Sequence, residues 1–388
     1  MFGHLQIPYP RERRLVGIAD AVLAPLAWAP RRRPGPVRRV LLLRLERIGD
    51  LLMVLEALRD ARAAWPEADL DLAVGSWNAP IASLVPGIAR VELMDVPWLA
   101  RGASGDSWSA LVSKARAWKR RDYDLVLNFE PDIRSNALAW MTGATRRFGY
   151  SSGGGGAFLT DASPYVPTSH VSANARALVA KAAGRDVASG AEVPLTLKIA
   201  DEARERVRAL IAQAKRPLVG VHASGGRESK QWHLDRFAAA ARDVAAARHA
   251  TIVLTGGRDD RALVDQVRRG LERTPVVDVS GMLDLDGLAA LLAELDVLLT
   301  GDTGPMHLAA SVGTPVVALF GPSDPRRYGL IGVGHRVLHV DLPCSPCGQV
   351  RLPPERCRGH VPDCLDQIHV ARVVAAVLEV LDAPRQHR

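Results

Sequence analysis

Short apolar runs rich in branched side chains recur along the chain and alternate with longer stretches whose apolar positions repeat every three or four residues. The first run, Val37-Arg38-Arg39-Val40-Leu41-Leu42-Leu43, follows a Pro34/Pro36 break and ends at Ile48-Gly49-Asp50, ahead of an amphipathic stretch. That pattern predicts strand, turn, helix. Similar runs at 70–74, 91–93 and 125–128 are separated by helical or polar segments such as 109–119. A second series begins after the segment 187–195, with strands expected at 217–221, 251–255, 276–279, 297–300 and 315–320. Buried strands alternating with helices predict parallel sheets covered on both faces, so the expected fold class is α/β with two doubly wound units.

Between the two series, Ser151-Ser152-Gly153-Gly154-Gly155-Gly156 reads as a mobile loop, a candidate lid on the acceptor side. A chain of 388 residues exceeds one ordinary core. The expected division is an N-terminal extension over 1–36, one Rossmann-like domain over 37–190, a second over 191–370 with a cysteine-containing loop at 341–365, and a C-terminal helix and tail over 371–388.

With 48% hydrophobic and 24% charged residues the composition is globular, and no apolar run is long enough to cross a bilayer. The net charge of +8 favours anionic partners without choosing among phosphates, nucleic acid and an anionic membrane. The extension Arg11-Glu12-Arg13-Arg14 through Arg31-Arg32-Arg33 brackets an apolar stretch broken by Asp20 and Pro25, so it is a poor spanning helix. It reads either as an element lying on the inner membrane surface or as a helix packed on the protein body. The clustered cysteines fit a reducing cytoplasm.

Every candidate motif follows a strand, where open α/β sheets bind ligands. After Val221 comes His222-Ala223-Ser224-Gly225-Gly226-Arg227-Glu228-Ser229-Lys230-Gln231-Trp232. Its small residues open the backbone to an anion, Ser224 adds a hydroxyl, and Lys230 places a positive charge for a diphosphate; an ordinary turn is the alternative. After Thr255, Asp259 is the candidate for ribose hydroxyls, with Asp259 or Asp260 otherwise capping the next helix. Asp284-Leu285-Asp286 reads as a helix cap rather than a metal-binding pair. Strand 297–300 delivers Gly301-Asp302-Thr303-Gly304-Pro305-Met306-His307. There the glycines permit a sharp turn, Thr303 and Gly304 offer donors to a phosphate, and Asp302 can grip sugar hydroxyls. His222 and His307 read as turn residues or phosphate contacts rather than bases.

Together with Arg44-Leu45-Glu46-Arg47-Ile48-Gly49-Asp50, Tyr123-Asp124-Leu125-Val126 and Phe320-Gly321-Pro322-Ser323-Asp324-Pro325, these segments make the chain resemble glycosyltransferase family 9, the lipopolysaccharide heptosyltransferases, over about residues 38–380. The resemblance implies a GT-B fold of two Rossmann-like domains facing a central cleft. It further implies a nucleotide-diphosphate sugar donor, typically ADP-heptose, and inverting transfer to a glycan or glycolipid acceptor without a catalytic metal. Carried over position by position, it makes Asp50 the general base, Ser224, Lys230, Thr303 and Gly304 the diphosphate contacts, Asp302 the sugar contact and Met282 a neighbour of the adenine, with Gly225 and His307 as further donor-site candidates. The residue types suit that chemistry: one carboxylate takes the acceptor proton, while positive charge and N–H donors meet the departing diphosphate.

The chain departs from the family pattern at Glu46-Arg47, where members commonly carry two serines, and at Glu56, where a proline is common. Arg47, Arg134 and Arg147 are the candidates for holding an acidic acceptor. A GT-B sugar-nucleotide epimerase or hydrolase, or a transferase acting on a protein or natural product, is the alternative. No nucleic-acid partner is expected, and the location expected is cytoplasmic, at most peripheral on the membrane. Cys344, Cys347, Cys357 and Cys364 lie in proline-rich sequence, where a structural zinc or iron is one reading and free or paired thiols the other.

Overall fold

Six parallel strands build the sheet of the first half: β1 (Arg39–Leu43), β2 (Asp69–Val74), β3 (Arg90–Leu93), β4 (Leu125–Asn128), β5 (Arg146–Tyr150) and β6 (Asp161–Ser163), in the order β3-β2-β1-β4-β5-β6. The second half repeats the plan with β7 (Leu218–His222), β8 (Thr251–Thr255), β9 (Val276–Asp278), β10 (Val297–Gly301), β11 (Val316–Leu319) and β12 (Arg336–Leu338), ordered β12-β11-β10-β7-β8-β9. Counted from its own first strand, each sheet has the 3-2-1-4-5-6 order of dinucleotide-binding folds. The order reverses between β1 and β4 and between β7 and β10, and ligands of such sheets bind at that reversal. The structure is a computed structural model that describes residues 5–7, 9–28, 35–99, 105–185, 195–350 and 352–384. It divides into two compact units, Met1–Ala191 and Glu192–Arg388. Arg31-Arg32-Arg33 and most of the linker at 187–195 lie outside the described residues.

Strands buried on both faces need apolar side chains at almost every position, and β4, β7, β8, β10 and β11 are buried throughout. One device pins the start of the central pair in each unit. Asp124, just before β4, accepts hydrogen bonds from the N–H groups of Arg38 and Arg39 at 2.8 and 2.9 Å. Asp296, just before β10, accepts from Leu218 N at 2.6 Å and pairs with Arg216. The Tyr123-Asp124 motif is therefore a strand clamp, and Tyr123 donates its hydroxyl to Asp71 at 2.7 Å in the core.

Three strands escape the hydrophobic pattern. β5 opens on Arg146-Arg147 and contains Gly149, while β6 and β12 are three-residue strands at sheet edges. The glycine segment corrects a second expectation, because it is a packed turn and not a mobile lid. A Cβ on Gly153 would lie 1.8 Å from Pro131 O, and one on Gly154, at φ +88°, would lie 2.3 Å from Val16 Cγ1. The N-terminal helix Pro10–Leu23 meets Gly154, while Pro131 and Ile133 crowd Gly153 and Gly155, and Gly155 N donates to Asp20 Oδ1 at 2.5 Å.

The C-terminal segment is likewise no separate element. Helix Val370–Asp382 places Val373, Ala376, Val377 and Val380 in the core of the second unit with Phe237 and Val317. Trp232, buried at the end of the Lys230-Gln231-Trp232 motif, donates Nε1 to Ile368 O at 3.2 Å and ties that motif to the same helix.

Candidate functional site

In the first unit, paired β1 and β4 end side by side at Leu43 and Asn128, and the loops that follow interlock. Asp50 lies in the short helix Ile48–Leu52, its side chain 30% exposed. Its Oδ2 accepts a 3.3 Å hydrogen bond from Arg47 N, so the carboxylate also caps its own helix. Beneath it lies Arg44, 3% exposed. Arg44 donates to Phe129 O at 2.9 Å and Asp50 O at 3.1 Å, and reaches the Glu46 carboxylate at 3.0 Å and Asp50 Oδ1 at 3.5 Å. Burial alone would lower the Arg44 pKa, but Glu46, Asp50 and Glu130 outweigh it and keep the guanidinium charged.

Glu130 is the residue that sequence reasoning missed. It is buried at the end of β4, and one oxygen accepts from Leu45 N at 2.5 Å and Glu46 N at 3.0 Å, so it fixes the loop leading to Asp50. Burial, and then the charge of Glu46, push its carboxyl up to about 8 against the pull of Arg44. A buried acid directly after a predicted strand was the available signal. Trp77 Nε1 and Asn78 Nδ2 hold the same loop from β2's side by donating to Glu46 O at 2.9 and 2.6 Å.

The three candidate acceptor arginines differ. Arg47 caps the Asp50 helix. Arg134 pairs with Asp132 and stacks over Trp98 at 4.7 Å, with its side chain 40% exposed. Arg147 donates to Phe158 O at 2.7 Å and to Ala144 O, so its guanidinium is committed to carbonyls of its own unit.

In the second unit the reversal lies between β7 and β10, where Thr300 is in register with His222. Beyond β7, Ser224 and buried Gly225 lead to Lys230, and Gly225 is forced by close backbone: a Cβ there would stand 2.9 Å from Arg227 O and Gln231 N. Beyond β10, Thr303 is the N-cap of helix Gly304–Ser311 with no side-chain cap bond, and the first N–H groups of a helix lack intrahelical partners. Lys230 Nζ and Asp302 Oδ2 lie 2.7 Å apart across the reversal, with side chains 19% and 10% exposed. His307 is buried inside that helix. His222 is buried against Thr255 Oγ1 at 3.1 Å, and burial lowers its pKa to about 4, so its ring is neutral.

Next along the edge, Asp260 accepts from Gly257 N at 2.8 Å and closes the short turn Arg258–Asp260 ahead of its helix, and the neighbouring Asp259 is exposed. After β9 comes Met282, 58% exposed, on a turn joined to that of β8 through Gly281 N and Gly256 O at 2.9 Å. Asp284 accepts from Gly287 N at 2.8 Å, as a helix cap should.

The four cysteines line one small cavity with Ser345, Pro322 and Ser229, the neighbour of Lys230, and burial raises the Cys364 thiol to about 11. No three His, Cys, Asp or Glu side chains are arranged to hold a metal ion among the described residues.

Two doubly wound units, each of dinucleotide-binding order, make a GT-B fold, and solved structures share it. A glycosyl transferase of family 9 from Veillonella parvula is 24% identical and covers 89% of this chain and 97% of that one, with a TM-score of 0.74. The E. coli heptosyltransferase WaaC, solved with ADP-2-deoxy-2-fluoro heptose, is 22% identical and covers 88% and 99%, with a TM-score of 0.65. Among curated proteins, lipopolysaccharide heptosyltransferase 1 of Pseudomonas aeruginosa is 28% identical over 90% of this chain and 100% of its own length. The model of glycosyltransferase family 9 (heptosyltransferase) matches residues 112–354, and the chain belongs to that family. The epimerase and hydrolase alternatives give way to it.

Proposed function

We propose that the protein transfers a heptose from ADP-heptose, with inversion, to an acidic glycolipid acceptor of lipopolysaccharide at the inner face of the cytoplasmic membrane. The observation that carries this reading is the order of side chains along the carboxyl edge of the second sheet. Met282 follows β9, Asp259 follows β8, Ser224 and Lys230 follow β7, and Asp302, Thr303 and Gly304 follow β10. Adjacent strands lie about 4.8 Å apart, so these four positions span about 14 Å. Base, ribose, diphosphate and sugar succeed one another in that order over a comparable length. The Pseudomonas relative is named a lipopolysaccharide heptosyltransferase and the WaaC structure holds an ADP-heptose analogue, and both support the donor chosen.

In this reading Asp50 accepts the proton of the acceptor hydroxyl as its oxygen attacks the anomeric carbon. The bond to the diphosphate breaks, and its charge is met by Lys230 and the N–H groups of Thr303 and Gly304, so catalysis requires no metal. Asp302 orients both Lys230 and the sugar, and His307 supports the helix start from below. Arg47 and Arg134 are the acceptor contacts. A structural zinc or iron on the four thiols stays outside the chemistry, and elemental analysis of the purified protein decides it.

A thermal-shift series with ADP-, GDP-, UDP- and dTDP-sugars tests the donor, since only a bound ligand stabilises. ADP-heptose should raise the midpoint most; an equal or larger shift with a UDP-sugar would sink the adenine assignment.

Glu130 and Arg44 act through Asp50 as positioning residues, with a consequence for pH. A carboxyl raised to about 8 binds its proton more tightly in the folded state, so its contribution to stability is present below the ordinary value of about 4.3 and is lost as pH rises through 8. Glu130→Gln keeps an oxygen for Leu45 and Glu46 N–H but cannot ionise. Its melting temperature should therefore gain on the wild type between pH 5 and 8. A difference that stays constant over that range would show that the Glu130 carboxyl is not raised in the folded protein.

A further inference from the structure

The N-terminal extension precedes the strands that match the family pattern, and the transfer chemistry makes no use of it. Helix Pro10–Leu23 is held on the first unit by one side only. Asp20 accepts from Gly155 N, Val16 stands against Gly154, and Gly17 is buried; just upstream, Gln6 N donates to Ser152 O at 2.8 Å and Gln6 Nε2 to Tyr165 O at 2.8 Å.

Successive residues of a helix turn by about 100°, which sets Arg11, Leu15, Ile18 and Val22 on the side opposite Asp20 and Gly17. Those apolar residues are exposed: Leu15 by 69%, Ile18 by 56% and Val22 by 73%, and Leu26 in the following turn Ala24–Trp28 by 39%. A soluble surface seldom lines up four aliphatic side chains. Arg11 and Arg14 stand exposed at the front of the stripe, while Arg13, half-buried, turns to the side of Asp20, and Glu12 is the one acid of that turn.

We propose that this stripe is a membrane-docking face which lies in the plane of an anionic lipid surface, its aliphatic side chains among the acyl chains and its arginines on the lipid phosphates. It gives a location to the peripheral membrane contact of the proposed function and rests on that reading only for the choice of a lipid surface. Three features select that occupant. The helix is about 21 Å long and carries three arginines, so it cannot span a bilayer but suits the interface. Its positive charge complements anionic headgroups. Four aliphatic side chains expose on the order of a few hundred Å², short of the roughly 800 Å² per partner that a stable protein dimer buries.

The test is flotation of the full chain with vesicles of phosphatidylethanolamine and phosphatidylglycerol, against vesicles of phosphatidylcholine alone. The wild type should float with the anionic vesicles and fall away as salt rises. The triple variant Leu15→Ser/Ile18→Ser/Val22→Ser should lose at least tenfold in partitioning, and Arg11→Glu/Arg14→Glu should lose the preference for anionic lipid. Both variants change exposed residues, so their melting curves and their transfer to a detergent-free, water-soluble acceptor should match the wild type. Flotation undiminished in the triple variant overturns the proposal. So does a dimer, seen by light scattering, that the same three substitutions dissolve, because the face then belongs to a second copy. Loss of transfer to the soluble acceptor in the wild type would fail the functional reading and leave the flotation result standing.

Discussion

Replacing Asp50 by Ala lowers transfer by about two to four orders of magnitude, the usual effect of losing a positioned acid or base, while ADP-heptose binds as before. The geometry gives a reason to separate two roles. Asp50 Oδ2 accepts from Arg47 N and so caps the helix Ile48–Leu52, and losing a cap costs about 0.5–2 kcal/mol of stability. Asp50→Asn keeps an oxygen for that N–H group but cannot take a proton. If the carboxylate is the base, both variants are inactive per folded molecule and only the alanine is less stable. If the residue merely caps, the asparagine variant turns over normally. Steady-state rates together with melting curves distinguish the two outcomes, and a normal rate in Asp50→Asn removes Asp50 from the mechanism.

The second large effect is expected at Lys230. Its ammonium, 2.7 Å from Asp302 Oδ2, is the positive charge at the reversal of the second sheet. A hydrogen bond to a charged group contributes about 1.5–3 kcal/mol, so Lys230→Ala should weaken ADP binding by about ten- to a hundredfold. The same change leaves Asp302, 7% exposed, without its cation, which should also lower the melting temperature. Lys230→Ala combined with Asp302→Asn should recover stability without recovering affinity. Titration calorimetry with ADP reads this directly, and unaltered affinity in Lys230→Ala would end the cradle assignment.

Much of this arrangement was legible in the chain. The apolar runs located the central strands of both sheets because strands covered on two faces leave no polar positions to blur the pattern. The glycine-bearing motifs after β7 and β10 were legible for a related reason: close backbone approach at Gly225 and a helix start at Gly304 admit few residue types. What the pattern could not carry was partnership across the fold. Gly153 to Gly155 read as slack chain, and only Val16 of the N-terminal helix, the backbone of Pro131 and Ile133 show why side chains are barred there. Arg147 read as a cation for the acceptor, yet two carbonyls of its own unit hold it. Glu130 stands 80 positions from Asp50, and its bonds to Leu45 and Glu46 N–H depend on β1 and β4 being neighbours, which sequence spacing does not encode.

The central claim is a single displacement in which one carboxylate takes the proton and the donor's diphosphate leaves. The proposed site assigns no side chain the part of a covalent nucleophile, so one bond forms as one breaks on the opposite face of the sugar. The most direct measurement is the anomeric configuration of the heptose in the product, read by NMR after reaction with ADP-heptose and an acidic glycolipid acceptor. The account predicts a linkage of configuration opposite to that of the donor, with one ADP released per heptose transferred. A product that retains the donor's configuration would contradict it.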